Sequence, residues 1–255
     1  MVRGQGLSPV GFFRLQEHGT TVAREVRAGL VTFLTMAYIL FVNPQILSET
    51  GMPARDVAVA TALAAALGSA VMGLWARYPF ALAPGMGLNA YFAFGVVGAL
   101  GISWQVGLTA VFLEGVLFVL LAGAGVRRAV LNAVPMSVKR AAMVGIGLFL
   151  AFVGLRNGGW VVDDPATLVA LGDPSSVEAL TAIGCLLVMV ALTLRKVPGA
   201  ILVGVVLGSG VLWAGGQAPL PEALWSLQVF PQETLLALDL SAVWTRDLLG
   251  AILAL

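Results

Sequence analysis

The residues best suited to chemistry in this chain gather around one interruption in an apolar pattern. Tyr78-Pro79-Phe80-Ala81-Leu82-Ala83-Pro84-Gly85-Met86-Gly87-Leu88-Asn89-Ala90-Tyr91-Phe92 sets two prolines and two glycines directly before an apolar helix. Proline has no N–H to give and pushes the residue before it toward extended geometry, so Phe80 to Ala83 is predicted not to continue a helix. At membrane depth such backbone must be buried in protein or line a polar cavity, because lipid satisfies no open amide. A helix restarting near Gly85 would point free N–H groups and its positive dipole end into that cavity. Asn89 falls in its first turn or two and offers two donors and an acceptor, a pattern suited to the edge of a flat polar heterocycle. Gly85 and Gly87 would shape such a site with their backbone, and Tyr91 or Phe92 could stack on the ring. The plainer reading is a loop between two ordinary helices, with Asn89 bonding a neighbouring helix.

Glu114, in Ala110-Val111-Phe112-Leu113-Glu114-Gly115-Val116-Leu117, is the one carboxylate near the centre of an apolar span. An ionisable group there is costly and by default marks a proton or substrate pathway. The alternative is a protonated Glu that bonds a neighbouring helix, with Gly115 beside it allowing close packing. Gly204 with Gly208, and Gly145 with Gly147, read as further close-packing positions. His18 is the only histidine and reads as a solvated group of the tail; Cys185 is the only cysteine and reads as a small packed hydrophobe. Those counts leave no disulfide, no Cys-based metal site and no Ser-His-Asp set, so metal, hydrolytic and cofactor chemistry are not expected and the chain does not read as an enzyme. A Gly-rich loop ending in Lys-Ser or Lys-Thr is absent, so ATP bound to this chain does not drive it; an ion gradient is the simplest source of energy.

These groups must be positioned by elements built for lipid. Of 255 residues, 59% are hydrophobic and 11% charged, against roughly 25% charge in a soluble domain. A net charge of +1 without a basic face argues against a nucleic-acid partner. Crossing roughly 30 Å of hydrocarbon takes about 20 helical residues. Apolar stretches of suitable size run approximately over Ala28–Val42, Val57–Ala76, Met86–Leu100, Trp104–Ala124, Ala141–Leu155, Ala179–Leu194 and Pro198–Ala214, and an eighth starts near Ala242. The expectation is an all-α multi-span membrane protein with a broken third span, an extended half and then a helix. Of the 14 basic residues, all but Arg55, Arg156 and Arg246 fall in the tail, at Arg77, between Arg127 and Arg140 or at Arg195-Lys196, which makes that side cytoplasmic, the N-terminus included. The connections 157–178 and 215–239 are long enough to hold structure. A short basic amphipathic piece is expected between Val130 and Arg140, and the six tryptophans fall near span ends or in connections, as in an aromatic belt. The chain stops at Leu255 inside an apolar run, which reads as a truncated eighth span.

Longer motifs then carry a resemblance. Thr32-Phe33-Leu34-Thr35-Met36-Ala37-Tyr38-Ile39-Leu40-Phe41-Val42-Asn43-Pro44, the Gly-Met-Gly-Leu-Asn-Ala-Tyr-Phe core within Ala83 to Phe94, Ala141 to Leu155, Asp164-Pro165-Ala166-Thr167-Leu168-Val169 and Leu171-Gly172-Asp173 together resemble the AzgA-like branch of the nucleobase–cation symporter-2 family. The resemblance implies uptake of adenine, guanine or hypoxanthine with a proton across the plasma membrane, by a seven-plus-seven inverted repeat of which this chain is the N-terminal half. It implies residues 1–27 as a cytoplasmic tail, 28–126 as core-domain spans one to four, 127–140 as a cytoplasmic loop, 141–214 as gate-domain spans five to seven, 215–240 as an extracytoplasmic connection and 241–255 as the start of span eight. It further implies Asn89 at the nucleobase site, shaped by Gly85 and Gly87, acidic binding residues in spans beyond Leu255, and assembly as a homodimer among the options. Arg156 stands where the family is expected to carry Gln. Uracil/xanthine or sulfate-type carriers of the same fold are the nearest rivals, and a multi-span membrane enzyme or receptor is the rival from another class.

Overall fold

The computed structural model describes residues 12, 13, 15–17, 19–125, 133–218, 230–239 and 241. Most of the tail with His18, Arg127 and Arg128, residues 130–132 of the basic piece, Trp225, Trp244 and the expected eighth span lie outside the described residues.

Thr21 caps the first helix by accepting from the Arg24 amide, the usual means of satisfying an orphan N–H at a helix start. α1 (Val22–Met36) and α2 (Ile39–Ser48) meet at a turn over Ala37 and Tyr38. Pro44 sits inside α2 and removes one rung of its ladder. α3 (Ala54–Val71) runs on as a π-helical turn over Met72–Ala76. α4 (Met86–Ala90) likewise widens into a π-helix over Tyr91–Ala99. Beyond it come α5 (Trp104–Gly123), α6 (Met136–Asn157), a hairpin of β1 (Val161–Asp164) and β2 (Leu168–Leu171), α7 (Val177–Leu194) and α8 (Ala200–Ala214). Five helical stretches, Val22–Ser48, Ala54–Ala76, Trp104–Gly123, Met136–Asn157 and Val177–Leu194, are long and apolar enough to cross a membrane; Met86–Ala99 and Ala200–Ala214 are shorter and apolar. The chain is an all-α, multi-span protein with one small hairpin in a connection.

Several boundaries differ from the sequence expectation, the first span among them: its helix starts at Val22 rather than Ala28 and turns at Ala37 and Tyr38. α6 starts at Met136 rather than Ala141, because Pro135 accepts from the amides of Val138 and Lys139 and opens the helix there, so Lys139 and Arg140 belong to its first turns. The 157–178 connection, expected to be long enough to hold structure, folds back on itself as an antiparallel pair, Val161 opposite Leu171 and Asp164 opposite Leu168.

The described residues fall into two compact units. The first is drawn from Met1–Val42, Thr61–Pro84 and Gly158–Leu227. In it α7 packs on α8 through two glycines: a Cβ at Gly204 would collide with Met189, and one at Gly208 would lie 3.1 Å from Cys185 Sγ. α7 ends with the Lys196 amide on Thr193 O and the Val197 amide on Leu192 O, a Schellman closure with Lys196 at φ 58 where glycine is usual. α8 ends the same way with Gly216 at that position.

The second unit is drawn from Asn43–Ala60, Gly85–Asn157 and Gln228–Leu255. Met52, Val57 and Phe92 form its buried centre, with Leu47, Val97, Trp104 and Leu108 packed around them. Gly107 makes room for the Phe92 ring, which would lie 2.7 Å from a Cβ there. The buried Asp56 carboxylate accepts from the amides of Glu233 (2.6 Å) and Thr234 (3.1 Å), tying a segment far along the chain to the start of α3. Gly115, Gly145 and Gly147, expected at helix contacts, meet nothing within 4 Å among the described residues. Glycine permits close approach but does not itself bring a neighbour.

In the hairpin turn, Asp164 Oδ1 accepts from the amides of Thr167 and Ala166 and from Thr167 Oγ1. These bonds, the Thr167 amide first, hold its carboxyl below the ordinary value near 3.8. A depressed folded pKa stabilises the turn above the unfolded value and loses that contribution as pH falls through the folded one. Hydrogen exchange of the Ala166 and Thr167 amides, corrected for intrinsic rate, should therefore show constant protection from pH 7 to about 5 and a decline below about 4. Asp164→Ala should lower protection at neutral pH and flatten the profile.

Candidate functional site

No helix or strand forms between Arg77 and Gly85. Within the first unit two amides of this stretch find hydroxyls instead. Thr32 Oγ1, inside α1, accepts from the Ala81 amide (3.1 Å) while donating to Gly29 O (2.9 Å). Ser69 Oγ, inside α3, accepts from the Leu82 amide (2.8 Å). Gly29 and Gly68 flank these hydroxyls; a Cβ at Gly29 would sit 3.8 Å from Pro79 O, and one at Gly68 3.5 Å from Leu82 Cβ. Small residues and hydroxyls thus let an extended segment lie directly against α1 and α3.

The helix then restarts. Gly85 is its N-cap, exposed and extended at φ −78, and the Asn89 amide closes the first turn on Gly85 O (3.1 Å). The amides of Met86, Gly87 and Leu88 precede that first rung and have no partner within the helix. Within the second unit, Asn89 Nδ2 donates to Asn43 Oδ1 at 2.6 Å, and Asn43 on α2 is only 2% exposed. Asn89 itself is half-buried.

The remaining candidates scatter around this pair. Gly87 lies where α6 comes closest, since a Cβ there would collide with Ile146. Phe92 is buried in the apolar centre of the unit, over Gly107. Tyr91 is 39% exposed and its ring covers Gly95, where a Cβ would lie 2.7 Å from it. Two residues along a helix point to nearly opposite sides, so Tyr91 and Asn89 diverge. Glu114 is exposed on α5, at the start of a run of exposed residues that reaches Leu120, and has no hydrogen bond or ion pair among the described residues. No group of His, Cys, Asp or Glu able to hold a metal occurs among the described residues. Reading the sequence missed Asn43, Thr32 and Ser69 as individual residues. The available signal was a polar side chain inside an apolar span, which must find a partner to be buried.

Multi-span helices, a short helix entered from non-helical chain and an interior amide pair describe an all-α, multi-span membrane protein. Residues 23–252 match the sequence model of the Permease family. The chain belongs to that family, the one that carries the nucleobase permeases its motifs resemble. It is 46% identical over 246 residues to a putative permease of Methanocaldococcus jannaschii, covering 95% of this chain and 56% of the relative. Against the adenine permease AdeP of Escherichia coli it is 46% identical over 213 residues, 84% of this chain and 48% of the relative. For the guanine/hypoxanthine permease PbuO of Bacillus subtilis the values are 41% over 222 residues, 86% and 51%. The chain spans about half the length of the curated relatives it matches.

The two glycines at the helix start should respond differently. Gly85→Ala has no contact within 4 Å and an ordinary φ, so it should leave thermal stability in detergent within about 0.5 kcal/mol. Gly87→Ala should cost about 1–3 kcal/mol by overpacking against Ile146, and Ile146→Ala in the same chain should recover part of the loss. Equal melting shifts for the two glycine variants would contradict this geometry.

Proposed function

We propose that the whole protein is a secondary active transporter that takes up purine nucleobases, adenine, guanine or hypoxanthine, by proton symport across the plasma membrane, with its N-terminus in the cytoplasm. In this reading the seven helical stretches are the first half of a seven-plus-seven inverted repeat: spans one to four, residues 28–126, belong to a core domain, and spans five to seven, residues 141–214, to a gate domain. The 77–85 stretch is the extended half of a broken third span, and α4 is its helical half.

The observation that carries the proposal is the Asn89 carboxamide, held by Asn43 one turn after the Gly85 cap, in a chain 41–46% identical to relatives named for adenine or for guanine/hypoxanthine. A purine ring edge alternates donors and acceptors, and a carboxamide matches such an edge in two hydrogen bonds. Free amides at the helix start add donors for a ring nitrogen or carbonyl. Gly85 keeps that end open, Gly87 fixes its distance from α6, and Phe92 braces it from the core side. Tyr91 retains the exposed ring surface of the two aromatics. Glu114 remains as a proton or packing carboxylate, and its exposed face is suited to a partner outside the described residues.

The positive-inside distribution supports the orientation: with spans alternating along the sequence, Arg77, Lys139, Arg140, Arg195 and Lys196 are assigned to one side. In the full-length protein, expressed in cells lacking their own purine uptake, Asn89→Ala should reduce kcat/KM for labelled purine by about tenfold or more, the loss of one or two buried hydrogen bonds, at unchanged amounts in the membrane. Excess unlabelled adenine, guanine or hypoxanthine should compete for uptake, and uracil and sulfate should not. Unaltered kinetics in Asn89→Ala, or competition by uracil or sulfate alone, would remove the proposal.

A further inference from the structure

Asn43 is among the most completely buried side chains in the described protein, lies inside an apolar helix, and has no part in the function proposed so far except as a neighbour of Asn89. We infer that Asn43 is a positioning residue that fixes which end of the Asn89 amide faces the solute, and so sets the choice between 6-amino and 6-oxo purines. This inference rests on the purine reading above and adds a selectivity device to it.

A carboxamide carries its acceptor oxygen and its donor nitrogen on opposite sides of the Cβ–Cγ axis. Turned through half a revolution, it presents the other group at nearly the same place. An unanchored Asn can therefore serve a solute donor or a solute acceptor and discriminates little between them. Asn89 is anchored: its Nδ2 donates to Asn43 Oδ1 at 2.6 Å. While Asn43, 2% exposed inside α2, keeps its orientation, turning Asn89 over would place oxygen against oxygen and leave a buried acceptor without its donor, which disfavours the flipped state on the order of tenfold to a hundredfold. The anchored amide keeps Oδ1 directed away from Asn43, so it reads a donor on the solute.

Adenine and hypoxanthine form the natural test of such a reader. At positions 1 and 6 adenine presents acceptor and donor, and hypoxanthine presents donor and acceptor. A fixed acceptor at one place on that edge accepts one of them and repels the other, because a site built to pair a given group rejects the analogue that leaves it unpaired. Relatives of this chain are named separately as adenine permeases and as guanine/hypoxanthine permeases, purines that differ at this edge.

The test measures uptake by the full-length protein of labelled adenine and hypoxanthine, and takes the ratio of their kcat/KM values in wild type, Asn43→Ala, Asn43→Asp and Asn89→Ala, with Asn43→Ala/Asn89→Ala as the double variant. The wild type should favour one purine by about tenfold or more, and Asn43→Ala should compress that ratio to about threefold or less by weakening rejection of the disfavoured purine. Asn43→Asp keeps an acceptor opposite Nδ2 and should hold the ratio near that of wild type. The double variant should be no worse than Asn89→Ala alone, since Asn43 acts through Asn89. If Asn43→Asp does not reach the membrane folded, the double-variant comparison decides instead. An unchanged ratio in Asn43→Ala, a wild-type ratio near one, or additive losses in the double variant would overturn the inference while leaving purine transport standing. Failure of the wild type to take up either purine would instead overturn the functional reading itself.

Discussion

Backbone that leaves a helix among apolar neighbours must find partners that its own chain does not supply, and much of this structure results from how that demand is met. Water cannot do it at depth, and lipid offers neither donor nor acceptor. Between Arg77 and Gly85 the partners are two hydroxyls, Thr32 on α1 and Ser69 on α3, each turned onto the amide of a neighbouring extended residue. A hydroxyl suits the role because it accepts and donates at once, as Thr32 does by also donating to Gly29 O in its own helix. Two of the amides freed by the interruption are thereby met within a single unit. Gly29 and Gly68 answer the same demand, since a hydrogen bond from a short side chain requires backbones to lie close.

Polar side chains obey the rule as strictly as amides do. Asn43 and Asn89 join helices 46 positions apart, and Asp56 holds two amides 177 and 178 positions away. A carboxylate accepting two backbone N–H groups is well compensated for burial, which explains an acid in the first turn of an apolar helix without assigning it to transport. Glu114 stands apart, exposed on α5 in a face that no described residue covers. Burial with partners and exposure without them separate the two acids by their surroundings rather than by residue type.

These contacts also explain which features could be read from sequence. The non-helical stretch was legible because proline and glycine act on their own backbone, so Pro79, Pro84 and Gly85 announce the break locally. Helix existence was legible for the same reason: apolar length is a local property, although Pro135 shifted the start of α6 ahead of the apolar run. Pairings were not legible. Gly204 and Gly208 look no different in sequence from Gly145 and Gly147, yet only the first two meet a neighbouring side chain, Met189 and Cys185. Asn43 stood inside a motif that suggested a family, but nothing near it in sequence names Asn89 as its partner. The Phe92 ring could not be assigned to the apolar core from spacing either, because Met52, Val57 and Trp104 reach it from separate elements.

Such tight bracing leaves the amide-bearing helix little slack, and that constrains any transport motion. α4 is gripped on one side by α6, through Gly87 against Ile146 and Phe94 edge-on to Phe149, and on another by α5, through Phe92 over Gly107. Each contact is closer than an added methyl group would allow, or is an aromatic pair at packing distance. Asn43 then fixes the amide that the helix carries. Packed interiors move between discrete arrangements rather than deforming continuously, so Asn89 cannot shift alone without opening a void or a clash. In the proposed transporter, a motion that carries residues 28–126 past residues 141–214 must exchange the Gly87–Ile146 and Phe94–Phe149 contacts of α4 with α6 while keeping its contact with α5. The Asn89–Asn43 hydrogen bond joins two elements of the same proposed domain, so it can persist through such an exchange.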